Sequence, residues 1–353
     1  MSTVLLDLTA ASINNHQSAI NNLPSPVLIT GVTGFIASHL AERLLADGVR
    51  VRGAARRPRT FEGAETAKVL CGAEIVQADL LDPNSLRRAV AGCRTVVHAA
   101  AWTGGAELPD AAGMRVNVEG TANLLRAAGH GAGVERFVYI SSVAVYGVNC
   151  APLVDEAMPT PVVGQAYPDS KIAAEQLVRA ADVPWVIARP AATYGPRGGA
   201  WTVGPVEQIK AGRLVLLGED LGLVTTGYIA NVVDGLALAL AHPAAIGETF
   251  NLCDDRAVTF REFYMAYARM LGKTSLPTVP GWSARLARTA PARLARRLLG
   301  RPAVGPWSLH FRRNPSQFSV AKAQRLLGYA PAVDFAEGMR RTAAWLRSTG
   351  YLS

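Results

Sequence analysis

The four residues Val27-Leu28-Ile29-Thr30 run directly into Gly-Val-Thr-Gly, and then into a stretch where Leu40, Leu44 and Leu45 recur at helical spacing until Gly48 stops it. A short strand that hands over to a helix through a glycine turn must return to a parallel neighbour by a crossover, which leaves few topologies. The neighbours follow in order: residues 49–55, 75–77, 95–99, 137–141 and 185–189 read as strands. Helical patterns fill the intervals, among them 118–128 and 170–180. The expected fold class is α/β, a Rossmann-type doubly wound parallel sheet with helices on both faces and a smaller C-terminal substrate-binding lobe.

A length of 353 residues, half of them apolar, has room for such a sheet and an appended lobe. After Pro190 the alternation breaks. Gly and Pro crowd residues 195–205, and a basic, Pro-punctuated region runs over 276–315. The expected organisation is a mobile N-terminal arm over 1–25 and a cofactor domain over 26–193, to which 224–253 returns. Residues 194–223 and 254–353 would form the substrate lobe.

Four widely spaced cysteines with no C-x-x-C suggest neither a disulfide framework nor a metal site, and a reducing cytoplasm is expected. The opening residues lack a basic n-region and a sustained apolar stretch, which argues against a signal peptide, and no apolar run reaches the roughly 20 residues of a membrane span. The net charge of +9 is uneven, because residues 263–333 hold twelve Lys and Arg and no acid. Such a block is either a solvated arginine-rich face or a surface for an anionic partner. Without interleaved aromatics, nucleic acid is not expected as a partner. Within it, Leu286, Ala290, Leu294 and Leu298 recur every four residues among arginines over 282–300. That pattern fits a lid over an apolar substrate, a peripheral membrane contact, or ordinary packing.

The glycine turn has a chemistry of its own. Gly31 allows a tight bend, and Gly34 lets backbone approach a pyrophosphate at a helix N-terminus, where free N–H groups and the dipole favour anions. Gly31, Thr33, Gly34, Phe35 and Ile36 are therefore cofactor-binding candidates, with Ala37 where a third glycine is often found. The second strand ends in Arg56-Arg57, where an NAD site usually offers a carboxylate to the ribose. A guanidinium pairs bidentately with a 2′-phosphate, so Arg56 predicts NADP(H) in preference to NAD(H). Further along, Tyr167 stands four residues before Lys171 in Y-P-D-S-K. A dinucleotide turn followed at domain distance by such a pair describes a proton-relay oxidoreductase.

The chain resembles the extended short-chain dehydrogenase/reductase superfamily from about Pro26 to near the C-terminus. The matching pieces are T-G-V-T-G-F-I-A at 30–37, A-D-L-L-D around Asp79, V-V-H-A-A-A at 96–101 and V-N-V-E-G-T at 116–121. They continue with Y-I-S-S-V-A-V-Y-G at 139–147, Y-P-D-S-K, A-R-P-A-A-T-Y-G-P at 188–196 and L-G-Y-A-P at 327–331. The resemblance implies that Tyr167 exchanges the substrate proton. Lys171, on the same helix face, would lower its pKa and hold the nicotinamide ribose. Ser142 would orient the substrate oxygen, with Ser141 its rival by position. Asn117 would be either a relay member or a helix support. Asp79 and Leu80 would border the adenine, Ala99, Ala100 and Ala101 would pass along the cofactor, and Pro190 to Thr193 would face the nicotinamide. His98 is expected to pack at a strand end. Relatives are often dimers, so a homodimer is implied.

Two features narrow the substrate. The stretch V-T-T-G-Y-I-A-N-V-V-D-G at 224–235 lacks the arginine that nucleotide-sugar members direct at a diphosphate, and V-R-G-A-A-R-R-P is similar to dihydroflavonol-reductase-like enzymes. The pattern is closest to the 3β-hydroxysteroid dehydrogenase and dihydroflavonol reductase types, acting on a small or medium, relatively apolar ketone or secondary alcohol. The alternative is a nucleotide-sugar 4-epimerase or 4-ketoreductase.

Overall fold

A computed structural model of the chain describes residues 23–57, 65–104, 110–147, 151–218, 222–280 and 315–352. Seven strands form one sheet: β1 (Val27–Thr30), β2 (Val51–Ala55), β3 (Glu74–Gln77), β4 (Thr95–His98), β5 (Arg136–Ile140), β6 (Trp185–Pro190) and β7 (Glu248–Leu252). Every neighbouring pair is parallel, and the order across the sheet is β7-β6-β5-β4-β1-β2-β3. The order reverses at β1, between β2 and β4, which opens a crevice beyond the carboxyl ends of β1 and β4.

The strands alternate between two cores, as the period of two requires. Val27, Ile29, Val97, Val138 and Val186 face one side, where α1 (Phe35–Ala46) and α6 (Ile229–Ala241) contribute Leu40, Leu44, Val232 and Leu236. Leu28, Val96, Phe137, Tyr139 and Ile187 face the other, with Leu124 from α4 (Asp110–Ala128) and Val178 from α5 (Ala166–Arg179). Each fully buried aliphatic side chain contributes about 1.5–3 kcal/mol, so two such layers hold the sheet flat against its helices. The shorter α2 (Glu65–Val69) and α3 (Pro83–Val90) complete the crossovers; Asp82 caps α3 by accepting from Asn84 N, with Pro83 in the first turn.

Several expectations need correction. The N-terminal segment is already anchored at Leu23, which is buried, while Thr95 Oγ1 donates to the Pro24 carbonyl at 2.7 Å. Residues 1–22 lie outside the described residues, as does the amphipathic stretch 282–300. Helix α4 begins at Asp110 and α5 at Ala166, both earlier than the apolar pattern suggests. Tyr167 and Pro168 thus fall in the first turn of α5, where a proline's missing N–H costs nothing.

Beyond β6 the chain forms short pairings, Ala192–Tyr194 with Thr226–Tyr228 and Leu223–Val224 with Val258–Thr259. The helix Phe260–Met270 opens on a capping box between Thr259 and Glu262. Tyr194 gathers this region, its ring 5.5 Å from Tyr228, 6.2 Å from Phe263 and 5.9 Å from Phe335. Asn231 explains why an amide stands there: Nδ2 donates to Asp254 Oδ1 and the Val333 carbonyl, and Oδ1 accepts from Val333 N. A carboxylate would supply neither donor. No helix among the described residues is long and apolar enough to cross a membrane.

Candidate active site

The glycine turn meets β4 at close quarters. Gly31 has φ +63°, and a Cβ built there would lie 2.7 Å from Ala100 Cα; one at Gly34 would lie 3.0 Å from the Gly31 carbonyl oxygen. Gly34 precedes α1 with no side-chain cap, so the first N–H groups of that helix, from Phe35 and Ile36, have no capping side chain to receive them. Thr33 is exposed, and Ala37 is buried against the sheet without needing to be glycine.

Thr30 ties the two strand ends together. Its Oγ1 accepts from Ala99 N and Ala100 N, both at 3.2 Å, and meets His98 Nδ1 at 2.9 Å. His98 Nε2 reaches Thr121 Oγ1 at 2.9 Å, and Thr121 donates on to the Asn117 carbonyl. The network assigns the proton to Nε2, since Thr30 must donate to Nδ1. Burial pushes His98 down to about 3, the charge of Lys171 adding to it, so this imidazole is a neutral structural tie. Ala99, Ala100 and Ala101 keep partial exposure along the crevice. Asp79 is half-buried and accepts from Leu81 N, whereas Leu80 is buried beneath Gly120 and offers little surface to a ligand. Arg56 and Arg57 are exposed at the end of β2, and no described residue pairs with the Arg56 guanidinium. Uncapped helix N–H groups, a cradle that a Cβ would fill and an exposed guanidinium fit a phosphorylated dinucleotide.

At the end of β5 the two serines part company. Ser141 is buried and donates to Glu175 Oε1 at 2.6 Å. Ser142 begins the short turn Val143–Tyr146 and accepts from Ala144 N at 3.1 Å, and its hydroxyl lies near enough to the Tyr167 phenol to ease its ionisation. Lys171 Nζ, one turn beyond Tyr167, donates to the Ile140 carbonyl at 2.8 Å. Ser142, Tyr167 and Lys171 are thus brought together, and Ser141 is withdrawn from them.

Asn117 stands behind this group. Its Oδ1 accepts from Trp102 N at 2.7 Å, and its Nδ2 donates to the Trp102 carbonyl and to Ser170 Oγ, both at 2.8 Å. Ser170 in turn donates to the Tyr167 carbonyl at 2.7 Å. The amide is spent on positioning the post-β4 loop and the first turn of α5. Thr193 is buried with its hydroxyl on the Ala191 carbonyl, Pro190 is buried in β6, and Ala191 keeps the accessible surface of that stretch.

The electrostatics differ from the sequence expectation. Burial raises the Tyr167 phenol above its ordinary value and the Ser142 hydroxyl opposes it. Burial pulls the Lys171 amine down to about 7, with Glu175 opposing. At Tyr167 burial outweighs the groups that favour the phenolate, and the Lys171 amine is itself desolvated. Behind it, Arg189 grips Glu175 through Nε at 2.8 Å and Nη2 at 2.6 Å, and donates from Nη1 to Tyr146 Oη at 2.7 Å. Burial works against the Glu175 carboxylate, but Arg189, Ser141 and Arg179 outweigh it and hold the group below its ordinary value. Thr30, Glu175 and Arg189 carry much of the site's geometry, and periodicity could not single them out; the only signal is Glu175 standing four residues after Lys171.

Comparison with known proteins identifies the family. The model of the NAD dependent epimerase/dehydratase family covers residues 27–253. A ketoreductase of Stigmatella aurantiaca, named for a farnesylated dihydroquinoline oxide, is 32% identical over 88% of this chain and 93% of its own length. A 3 beta-hydroxysteroid dehydrogenase/Delta 5-->4-isomerase of Mycobacterium tuberculosis is 32% identical over 86% of each chain. A short-chain dehydrogenase/reductase superfamily protein of Agrobacterium tumefaciens, solved with bound NAD, shares the fold with a TM-score of 0.68 at 24% identity, over 92% of this chain and 97% of its own. With the reversal at β1, the glycine cradle and Tyr167 one turn before Lys171 already in place, this chain belongs to the NAD dependent epimerase/dehydratase family, the extended short-chain dehydrogenases/reductases.

Proposed function

We propose that the protein is an NADP(H)-dependent oxidoreductase that interconverts a ketone and a secondary alcohol of a relatively apolar small or medium molecule. The observation that carries this reading is the gathering at the end of β5 of the Ser142 hydroxyl, the Tyr167 phenol and, one turn on in α5, the Lys171 amine. A nicotinamide bound along β1 and β4 supplies or takes the hydride. The chain's own residues do the rest. Ser142 and Tyr167 donate to the carbonyl oxygen of the substrate, fixing its face and stabilising the charge that develops there. Tyr167 then gives up its phenolic proton to that oxygen, or recovers it in the reverse direction. Lys171 donates to the ribose of the cofactor and places positive charge beside the phenol. Asn117 acts through Trp102 and Ser170 as a positioning residue.

Arg56 supports NADP(H): it is exposed, without a partner among the described residues, and no acid stands beside it at the end of β2. The names of the two curated relatives favour an apolar polycyclic substrate. We assign residues 194–223 and 254–353 to holding it, and a homodimer as the working assembly. The second reading, a nucleotide-sugar 4-epimerase, has the family's name in its favour and the arginine-free segment 224–235 against it. NADPH consumption on a panel of ring ketones, set beside saturation binding of UDP- and dTDP-sugars, tests the two. Turnover of an apolar ketone without sugar-nucleotide binding supports the reductase; tight sugar-nucleotide binding without turnover overturns it.

A further inference from the structure

Lys171 is only 3% exposed, and among the described residues its amine donates to the Ile140 carbonyl. Burial penalises an ammonium, so something must favour the charged form if the residue is to act as a cation. The groups around it can be taken in turn. On its own helix, Tyr167 is neutral, and Glu175 favours the ammonium but is itself shared with Arg189, Arg179 and Ser141. His98 on β4 is neutral, and Arg189 on β6 is occupied by Glu175. A further contribution comes from Tyr139 on β5, whose ring centroid lies 4.8 Å from Lys171 Nζ.

That ring is well fixed. Tyr139 is 1% exposed, and its ring lies 5.5 Å from that of His98, its register partner on β4. A cation within about 6 Å of a ring face is attracted by its quadrupole, most strongly where both are out of water. We propose that Tyr139 is a positioning residue of the relay, the face of its ring holding Lys171 as an ammonium ion at the end of β5. The proposal rests on the assignment of Lys171 to the relay. A neutral amine there would neither favour a phenolate at Tyr167 nor offer a full set of donors to a ribose.

The test compares Tyr139→Phe, which keeps the ring and loses only the hydroxyl, with pentafluorophenylalanine installed at 139, which keeps the shape and removes the electron-rich face. The chain has only five lysines, Lys68, Lys171, Lys210, Lys273 and Lys322. The pH titration of 13C-labelled lysine side chains therefore resolves Lys171, assigned by the signal lost in Lys171→Met. The expected result is a Lys171 midpoint close to wild type in Tyr139→Phe and about one pH unit lower in the fluorinated protein. The pH profile of alcohol oxidation should follow, its limb for Tyr167 ionisation moving upward in the fluorinated protein and staying put in Tyr139→Phe. An unchanged Lys171 midpoint in the fluorinated protein overturns the proposal, whatever the activity. A midpoint that falls while the pH profile of turnover stays fixed keeps the ring–ammonium contact and removes Lys171 from the reaction.

Discussion

Asn117 Nδ2 donates to Ser170 Oγ at 2.8 Å, and Ser170 is the residue immediately before Lys171 and one turn after Tyr167. The same amide exchanges two bonds with the backbone of Trp102, so one buried side chain sets the spacing between the loop after β4 and the first turn of α5. In Asn117→Ala, buried backbone groups of Trp102 lose their partners, each at about 1–3 kcal/mol. Denaturant unfolding should register a loss of roughly 2–4 kcal/mol, with turnover falling and the pH profile of the remaining activity unmoved, because the proton-transferring group is intact.

Two glycines with similar dihedrals should behave differently. Gly31 at φ +63° faces the Ala100 backbone at 2.7 Å, whereas Gly48 at φ +76° has nothing within 4 Å of its would-be Cβ. Gly48→Ala should cost about 1–2 kcal/mol for the left-handed backbone and leave cofactor affinity unchanged. Gly31→Ala carries that cost plus a clash with backbone that cannot yield. Titration with NADPH should show at least about tenfold weaker binding, equivalent to 1.4 kcal/mol.

Buried histidine predicts an acid-labile fold. The folded value of His98 is lowered to about 3 from its ordinary 6.5, so the unfolded chain takes up a proton that the folded one refuses. The stability this provides is fully present above pH 6.5 and is lost as pH falls from 6.5 toward 3, at about 1.4 kcal/mol per pH unit. His39, lowered to about 4 mainly by burial, acts in the same direction. Asp254 and Glu156, raised by burial, act in the opposite one, so the difference between wild type and His98→Gln is the quantity to follow. Between pH 7 and 5 that difference should shrink as pH falls; a constant difference would mean His98 is protonated in the fold.

The exposed Arg56 makes a prediction about cofactor choice. Charge-assisted bonds to a 2′-phosphate contribute about 1.5–3 kcal/mol, so Arg56→Ala should weaken NADPH roughly ten- to hundredfold and leave NADH nearly unchanged. Fluorescence titration of both cofactors with both proteins gives the four constants. Equal NADPH and NADH affinities in the wild type would reduce Arg56 to a surface charge.

The sheet was legible because its strands are short apolar runs between helical patterns, and because a glycine turn, a Tyr and a Lys mark the crevice end. The helix starts were not, since α4 begins at the exposed Asp110 and α5 at Ala166, before any apolar period is established. Ser142 could be separated from Ser141 only in three dimensions, where Glu175 claims one hydroxyl and Tyr167 meets the other. The joint roles of Thr30, His98 and Thr121 depend on two strands and a helix meeting, which no single window of sequence contains. Leu23 was read as part of a mobile arm because one apolar residue in a polar segment has no period, although it closes the core beside β1.

The central claim is that Tyr167 transfers the proton. On an apolar ketone that the wild type reduces, the rate of NADPH oxidation by Tyr167→Phe measured against that of the wild type tests it most directly. The expected result is a fall of about 10²–10⁴-fold, the usual contribution of a positioned acid, with NADPH affinity unchanged. A Tyr167→Phe protein that binds NADPH normally and reduces the ketone at the wild-type rate would contradict it.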